Sequence, residues 1–200
     1  MTTTKFELKY LTNVGFSSDQ GGRSFQKPAC FAMRKSDGRI FVGSRGPAAE
    51  PNVGLQMVSV NHDWFGKMSE MGKDEGQMME PSGLAFDQDE NIYVSDENLH
   101  RISVFNKDSE FIRCWGGKGE GQGQFDAPSG LLMYNETLYV VDARNHRIQI
   151  FTKSGDFLSE WGSEGSGDGQ LRDPWGITSD TNGDIYVADW GNDRIQKFTS

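Results

Sequence analysis

The sequence is poor in cysteine and has no long apolar run. Its two cysteines, Cys30 and Cys114, are too few for a disulfide framework, and we expect both to be reduced, partly buried thiols. No apolar stretch approaches the length of a membrane span, and the first ten residues lack the apolar core of a secretory signal. We therefore expect a cytoplasmic protein without membrane attachment.

Basic residues are also scarce. The chain has 20 Lys and Arg against 29 Asp and Glu, which gives a formal net charge of −9. Nucleic-acid binders usually carry a basic patch, because phosphate contacts supply much of their affinity. Anionic membranes likewise attract basic segments rather than acidic ones. The composition therefore argues against nucleic acid and membranes as partners.

No stretch has convincing 3.6-residue periodicity, so helices are not predicted. Instead, the chain repeats itself. Segments that begin with Tyr-Val-x-Asp and continue to Arg-Ile start at Tyr93, Tyr139 and Tyr186, 46 and 47 residues apart. Pro-x-Gly segments start at Pro81, Pro128 and Pro174 and keep the same spacing. A fixed period of this length indicates a repeat architecture.

Each repeat contains four short bursts rich in Ile, Val, Tyr and Phe, separated by turn residues, which predicts four antiparallel strands, here a to d. Four strands in about 40 to 50 residues are typical of a β-propeller blade. The predicted fold class is all-β, with four four-stranded blades in a single domain, 1–200. The blades are predicted at 25–71, 78–116, 125–162 and 170–198, with 8–15 as a strand d that completes a terminal blade.

These motifs resemble the NHL-repeat family. The resemblance rests on Pro-x-Gly, Tyr-Val-x-Asp, Asn-x-Arg-Ile and Trp-Gly, and the first repeat matches loosely, with Ser44 in place of the aspartate. NHL rings usually have six blades, whereas four are predicted here. The chain is then a truncated member, a four-bladed ring, or a half-ring completed by a second copy, and we favour truncation.

An Asp and an Arg five residues apart recur at the turn between strands b and c: Asp96/Arg101, Asp142/Arg147 and Asp189/Arg194. Active sites are rarely built three times in one ring, so we expect charge-assisted hydrogen bonds that stabilise the turn. His100 and His146 share one repeat position, and equivalent positions in neighbouring blades point apart. They are interpreted as turn residues, and no metal site is predicted.

A binding site is expected where the repeats differ, on the face that the d–a and b–c loops share. At this face the sequence places two tryptophans, an arginine, a glutamate and two serines: Trp175, Trp190, Arg45, Glu97, Ser82 and Ser129. Exposed Trp and Arg are enriched in binding hot spots. We therefore predict a site for a protein or peptide. The alternative interpretation is ordinary variation among surface loops, with Trp175 packed between blades.

The resemblance also implies a second hypothesis, because one enzymatic relative with an NHL-type ring is a lyase that holds a metal on its axis. A metal-dependent lyase or hydrolase with an axial divalent ion is thus the alternative function. No residues here match the ligand histidines of that relative one for one. The sequence identifies neither a cofactor nor catalytic residues.

Overall fold

The computed structural model describes residues 10–14, 25–47 and 53–199, and all of its regular sheets are antiparallel. Strand order within each sheet follows chain order. Three sheets have four strands and the last has three. The strands are β1 (Pro28–Met33), β2 (Ile40–Ser44), β3 (Gly54–Val58) and β4 (Trp64–Ser69); β5 (Pro81–Phe86), β6 (Ile92–Asp96), β7 (Arg101–Phe105) and β8 (Phe111–Gly116); β9 (Pro128–Tyr134), β10 (Thr137–Asp142), β11 (Arg147–Thr152) and β12 (Phe157–Trp161); β13 (Ile177–Ser179), β14 (Ile185–Asp189) and β15 (Arg194–Phe198).

The four sheets, blades 1 to 4 in chain order, pack side by side as in a propeller. Strand a of each blade lies beside strand a of the next, in the order β1, β5, β9 and β13. The Pro-x-Gly motif has a steric reason here. A Cβ on Gly83 would lie 2.3 Å from the carbonyl oxygen of Ser129, and one on Gly130 would lie 2.6 Å from that of Trp175. Neighbouring inner strands therefore approach too closely for a side chain at this position.

The hydrophobic core consists of three clusters, one at each junction between blades. Phe41 and Leu55 of blade 1 pack with Phe105 of blade 2, and Tyr93 of blade 2 packs with Phe151 of blade 3. A third cluster joins blades 3 and 4. Apolar side chains on both faces of a sheet are thus covered wherever a blade has two neighbours, and this burial is the main stabilising contribution.

The last blade differs from the four-stranded prediction, since its sheet has three strands among the described residues. Residues 10–14 have no strand assignment, and positions 8, 9 and 15 of the predicted strand d lie outside the described residues. The pairing of 8–15 with the last blade therefore stays a prediction, as do the three alternatives for the ring.

The two cysteines are free thiols, and burial raises the pKa of Cys30 to about 12. The segment from Asp87 to Asn91 is a hairpin turn between β5 and β6, in which the Asp87 carboxylate accepts hydrogen bonds from the backbone N–H of Asp89 and of Asn91. In the described part of the chain, no helix has the length and apolar composition of a membrane span.

Candidate functional site

The b–c turns of blades 3 and 4 are held by the same hydrogen-bond network, centred on a fully buried aspartate. One oxygen of Asp142 accepts from the backbone N–H of Asp126, at 2.8 Å, and the other from the side chains of Asn145, Arg147 and Gln149, at 2.9 to 3.0 Å. In blade 4 the donors to Asp189 are the backbone of Arg172 and the side chains of Asn192, Arg194 and Gln196. The expected aspartate–arginine hydrogen bond is therefore present in these two blades, within a larger network.

In blade 2 the expected Asp96–Arg101 hydrogen bond does not form. Leu99 and Ser103 stand where blades 3 and 4 have the asparagine and glutamine that orient the aspartate. The Asp96 carboxylate instead accepts from four backbone N–H groups, those of Met79, Glu80, Asn98 and Leu99. Asp96 thus still stabilises the loops on both sides of it, without its arginine.

The arginines share another role, because each binds the d–a loop that precedes its own blade. Arg101 donates to the carbonyl oxygens of Lys73, Asp74 and Gln77. Arg147 and Arg194 donate to the equivalent loops, at Gly121 and Gln124 and at Ser166, Gly167 and Gln170. The glycine-rich loops are therefore connections between blades, held by guanidinium groups.

The two equivalent histidines accept hydrogen bonds from the backbone. Nδ1 of His100 accepts from the N–H of Ala127, and Nδ1 of His146 accepts from the N–H of Asp173, each at 3.1 Å. Each imidazole thus fixes the residue before the proline of the Pro-x-Gly motif in the next blade. Within residues 10–14, 25–47 and 53–199, no three His, Cys, Asp or Glu side chains converge as metal ligands.

Four of the six predicted site residues come together at the mouth of the axis. The guanidinium of Arg45, from blade 1, forms an ion pair of 2.8 Å with Glu97 of blade 2. Arg45 also donates to the carbonyl of Pro81, and its Cζ lies 5.7 Å from the ring centroid of Trp175 in blade 4. Trp175 is 42% exposed and Trp190 is 69% exposed.

Glu97, Trp175 and Trp190 line a cavity of about 540 Å³, here called the rim cavity, and Arg45 contacts two of them. Both tryptophans form walls, and two small side chains, Ala127 and Ala143, leave space between them. The full lining consists of Glu97, Ala127, Ala143, Arg144, Asp173, Trp175 and Trp190. Every lining residue comes from a d–a or b–c loop or lies at the start of strand a, so the cavity is on the face predicted from the sequence.

Ser82 and Ser129 are placed elsewhere. Both are buried, and their hydroxyls join neighbouring blades: Ser82 donates to the carbonyl of Pro128 at 2.7 Å, and Ser129 to that of Trp175 at 3.0 Å. Their side chains are therefore occupied with contacts between blades and do not line the rim cavity.

Sequence reasoning missed Ala127, Arg144 and Asp173 as lining residues. A signal for two of them was present, because the residue before the strand-a proline varies as strongly as the rim positions do. It is lysine, glutamate, alanine and aspartate in the four repeats, at Lys27, Glu80, Ala127 and Asp173. Arg144 offers no such signal, since it is an exposed turn residue.

Segments 78–105 and 171–198 match the NHL repeat. They cover strands a to c of blade 2 and of blade 4. The RING finger protein nhl-1 of Caenorhabditis elegans is 39% identical over 60 residues, which are 30% of this chain. Protein brain tumor of Drosophila melanogaster is 37% identical over 67 residues, which are 34% of it. The aligned stretches make up 6% of each relative, so the match concerns a small part of those proteins.

Solved structures resemble the whole assembly of blades. A catalytically inactive virginiamycin B lyase from Staphylococcus aureus, solved with quinupristin, aligns with a TM-score of 0.57 at 16% identity, over 91% of this chain and 68% of its own. A chain in the nidogen/laminin complex aligns with a TM-score of 0.59 at 19% identity, over 81% of this chain and 59% of its own. At such identities the likeness concerns the fold. With the repeat matches and the four sheets, it shows that this chain contains NHL repeats and has an all-β propeller fold.

Proposed function

We propose that this chain is a binding module that holds a segment of a protein or peptide in the rim cavity. The observation that carries the proposal is the convergence of Trp175 and Trp190 with the Arg45–Glu97 ion pair around one cavity. These are positions at which the repeats differ, whereas residues with the same structural role recur from blade to blade. Exposed tryptophan and arginine are the side chains most enriched in binding hot spots.

The rigidity of the surrounding loops supports the proposal. The turn that carries Trp190 is fixed by the Asp189 network, and the backbone N–H of Gly191 donates to the carbonyl of Arg172 at 2.8 Å. The carbonyl of Trp175 accepts from both the Ser129 hydroxyl and the backbone N–H of Gly130. A ligand then meets walls that are already ordered, which lowers the entropic cost of binding.

The lyase or hydrolase hypothesis has fold likeness as its support, and fold does not imply function. The structural neighbour solved with quinupristin is 16% identical in sequence to this chain. The rim cavity is lined by two tryptophans, which are typical of binding surfaces. Binding is therefore the function that we propose.

The test is selection of short random peptides, displayed on phage, against the immobilised chain. We expect enriched peptides whose affinity falls at least about 30-fold in the Trp175→Ala/Trp190→Ala double variant, since hot-spot truncations cost about 2 kcal/mol or more. Trp64→Ala is the matched control, because Trp64 is 40% exposed but lies on β4, outside the rim cavity. The proposal fails if no peptide is enriched, or if the double variant binds like the control.

A further inference from the structure

We infer that the rim cavity receives an arginine side chain of the bound peptide; this inference rests on the proposed function. Its first support is an interaction inside the chain itself. The guanidinium of Arg45 lies over the indole of Trp175 and pairs with Glu97. An indole and a carboxylate at this rim thus already hold one guanidinium, by cation–π attraction and an ion pair.

A second indole and a second carboxylate in the same cavity are unused. The ring of Trp190 is 69% exposed, and among the described residues no arginine or lysine lies over it. The side chain of Asp173 is 46% exposed. Nδ1 of His146, which accepts a hydrogen bond from the backbone N–H of Asp173, lies 4.0 Å from this carboxylate, and the part of the chain that the structure describes places no arginine or lysine within that distance of it. A further cation in the cavity would therefore meet an indole and a carboxylate, the same two kinds of group that hold Arg45.

The shape between these groups suits a long side chain. Ala127 and Ala143 leave apolar space between the two tryptophans, within a cavity of about 540 Å³. Basic side chains bury their aliphatic stems along apolar surface while the charged head reaches a polar partner. A ligand stem would pack between the indoles, and its head would reach Asp173.

The local charge selects against an acidic side chain. The lining contains the carboxylates of Glu97 and Asp173 and one basic group, Arg144. Glu97 is paired with Arg45, and Arg144 lies 3.9 Å from Asp126, a carboxylate outside the lining. Asp173 is therefore the lining carboxylate to which the described residues bring no arginine or lysine, and it would repel an acidic ligand and attract a cation. Arginine suits the cavity because its planar guanidinium stacks on aromatic faces and is weakly hydrated.

The test uses four synthetic pentapeptides with blocked ends, Gly-Ser-X-Ser-Gly, in which X is arginine, its neutral isostere citrulline, leucine or glutamate. Binding is followed by NMR through the indole N–H signals of the chain, with Trp175→Ala and Trp190→Ala to assign them. We expect the arginine peptide to shift both signals with saturation. The citrulline peptide should bind about five- to tenfold more weakly, and the glutamate peptide more weakly still.

The role of the carboxylate is tested with Asp173→Asn. This change should weaken binding of the arginine peptide and leave the citrulline peptide unaffected. Asp168→Asn is the matched control, because Asp168 is an exposed carboxylate of the same d–a loop, outside the cavity lining. The inference is overturned if leucine binds as tightly as arginine, if Asp173→Asn behaves like the control, or if none of the four peptides shifts an indole signal. The phage selection judges the proposed function separately, since it places no restriction on the peptide sequence.

Discussion

Blades 3 and 4 have the same hydrogen-bond network but different surroundings. Ile148 of blade 3 is fully buried, whereas Ile195, at the same repeat position in blade 4, is 67% exposed. The paired arginines follow this trend, with side chains 12% exposed for Arg147 and 29% for Arg194. A repeat position thus has one role within its blade, while the neighbouring blade decides how much that role contributes to stability.

The two blades also differ at the rim, on nearly identical backbone. Short 3₁₀ turns at Ala143–Asn145 and Trp190–Asn192 are each followed by a left-handed residue with φ of 54°, His146 and Asp193. Ala143 is buried beside the rim cavity, whereas Trp190 projects into solvent. The turn therefore accepts either side chain, and the first residue of the turn is available for binding.

The largest effect is expected from removing the central aspartate of blade 3. Asp142→Ala should cost about 3–5 kcal/mol of unfolding free energy, because it removes the buried acceptor shared by the side chains of Asn145, Arg147 and Gln149 and by the backbone N–H of Asp126. Asp189→Ala should cost about 1–3 kcal/mol, since water reaches the more exposed Arg194. Urea denaturation of the two variants measures the difference. Equal losses would contradict the role we assign to the neighbouring blade.

Replacing the two isoleucines by alanine tests the difference between blades 3 and 4 more directly. Ile148→Ala should cost about 2–5 kcal/mol, as expected for a large-to-small change in a core. Ile195→Ala should change the free energy by no more than about 0.5 kcal/mol, as exposed substitutions do. Thermal or urea unfolding, combined with light scattering, provides the readout. A large cost for Ile195→Ala would mean that another surface covers blade 4, as in the hypothesis of a second copy that completes the ring.

The central aspartates of blades 3 and 4 should make the unfolding free energy depend on pH with opposite signs. Burial raises the pKa of Asp142 above its usual 3.8, although hydrogen bonds from Asn145 and the Asp126 backbone oppose the shift. Burial acts in the same sense on Asp189, but hydrogen bonds from the Arg172 backbone and three side chains outweigh it, so its pKa lies below 3.8.

The contribution of Asp142 to the unfolding free energy is therefore complete below pH 3.8 and is lost as the pH rises through the pKa of Asp142 in the folded state. The contribution of Asp189 to the unfolding free energy is complete above pH 3.8 and is lost as the pH falls through the pKa of Asp189 in the folded state. Relative to the unaltered chain, the cost of Asp142→Asn should thus fall with rising pH, and that of Asp189→Asn should rise. Urea unfolding across the acidic range tests this, and slopes of equal sign would contradict it.

The smallest effect on stability is expected at the rim. Trp190→Ala should change the unfolding free energy by no more than about 0.5 kcal/mol, because the indole is mostly exposed and the turn is held by other groups. The same variant should lose peptide binding, while Trp64→Ala should keep it. A clear loss of stability in Trp190→Ala would mean that the ring packs as a structural element.

The sequence allowed the fold to be predicted because strand lengths, turn residues and the repeat period all indicated blades. It also located Arg45, Glu97, Trp175 and Trp190 on one face, since differences between repeats show which positions are free to vary. It could not show that Ser82 and Ser129 face inward, because a serine suits a surface and a buried contact between blades equally well. Nor could it show that the Asp96–Arg101 hydrogen bond depends on residues at two other positions.

The carbonyl of Trp175 is held by blade 3 through two hydrogen bonds, while its ring faces the cavity. Backbone position and side-chain chemistry are therefore set by different residues at this point. For protein engineering, this means that positions 143, 175 and 190 can be randomised together on an unchanged scaffold. In evolutionary terms, duplicated repeats could acquire new ligands by single substitutions at the rim, without passing through unstable intermediates.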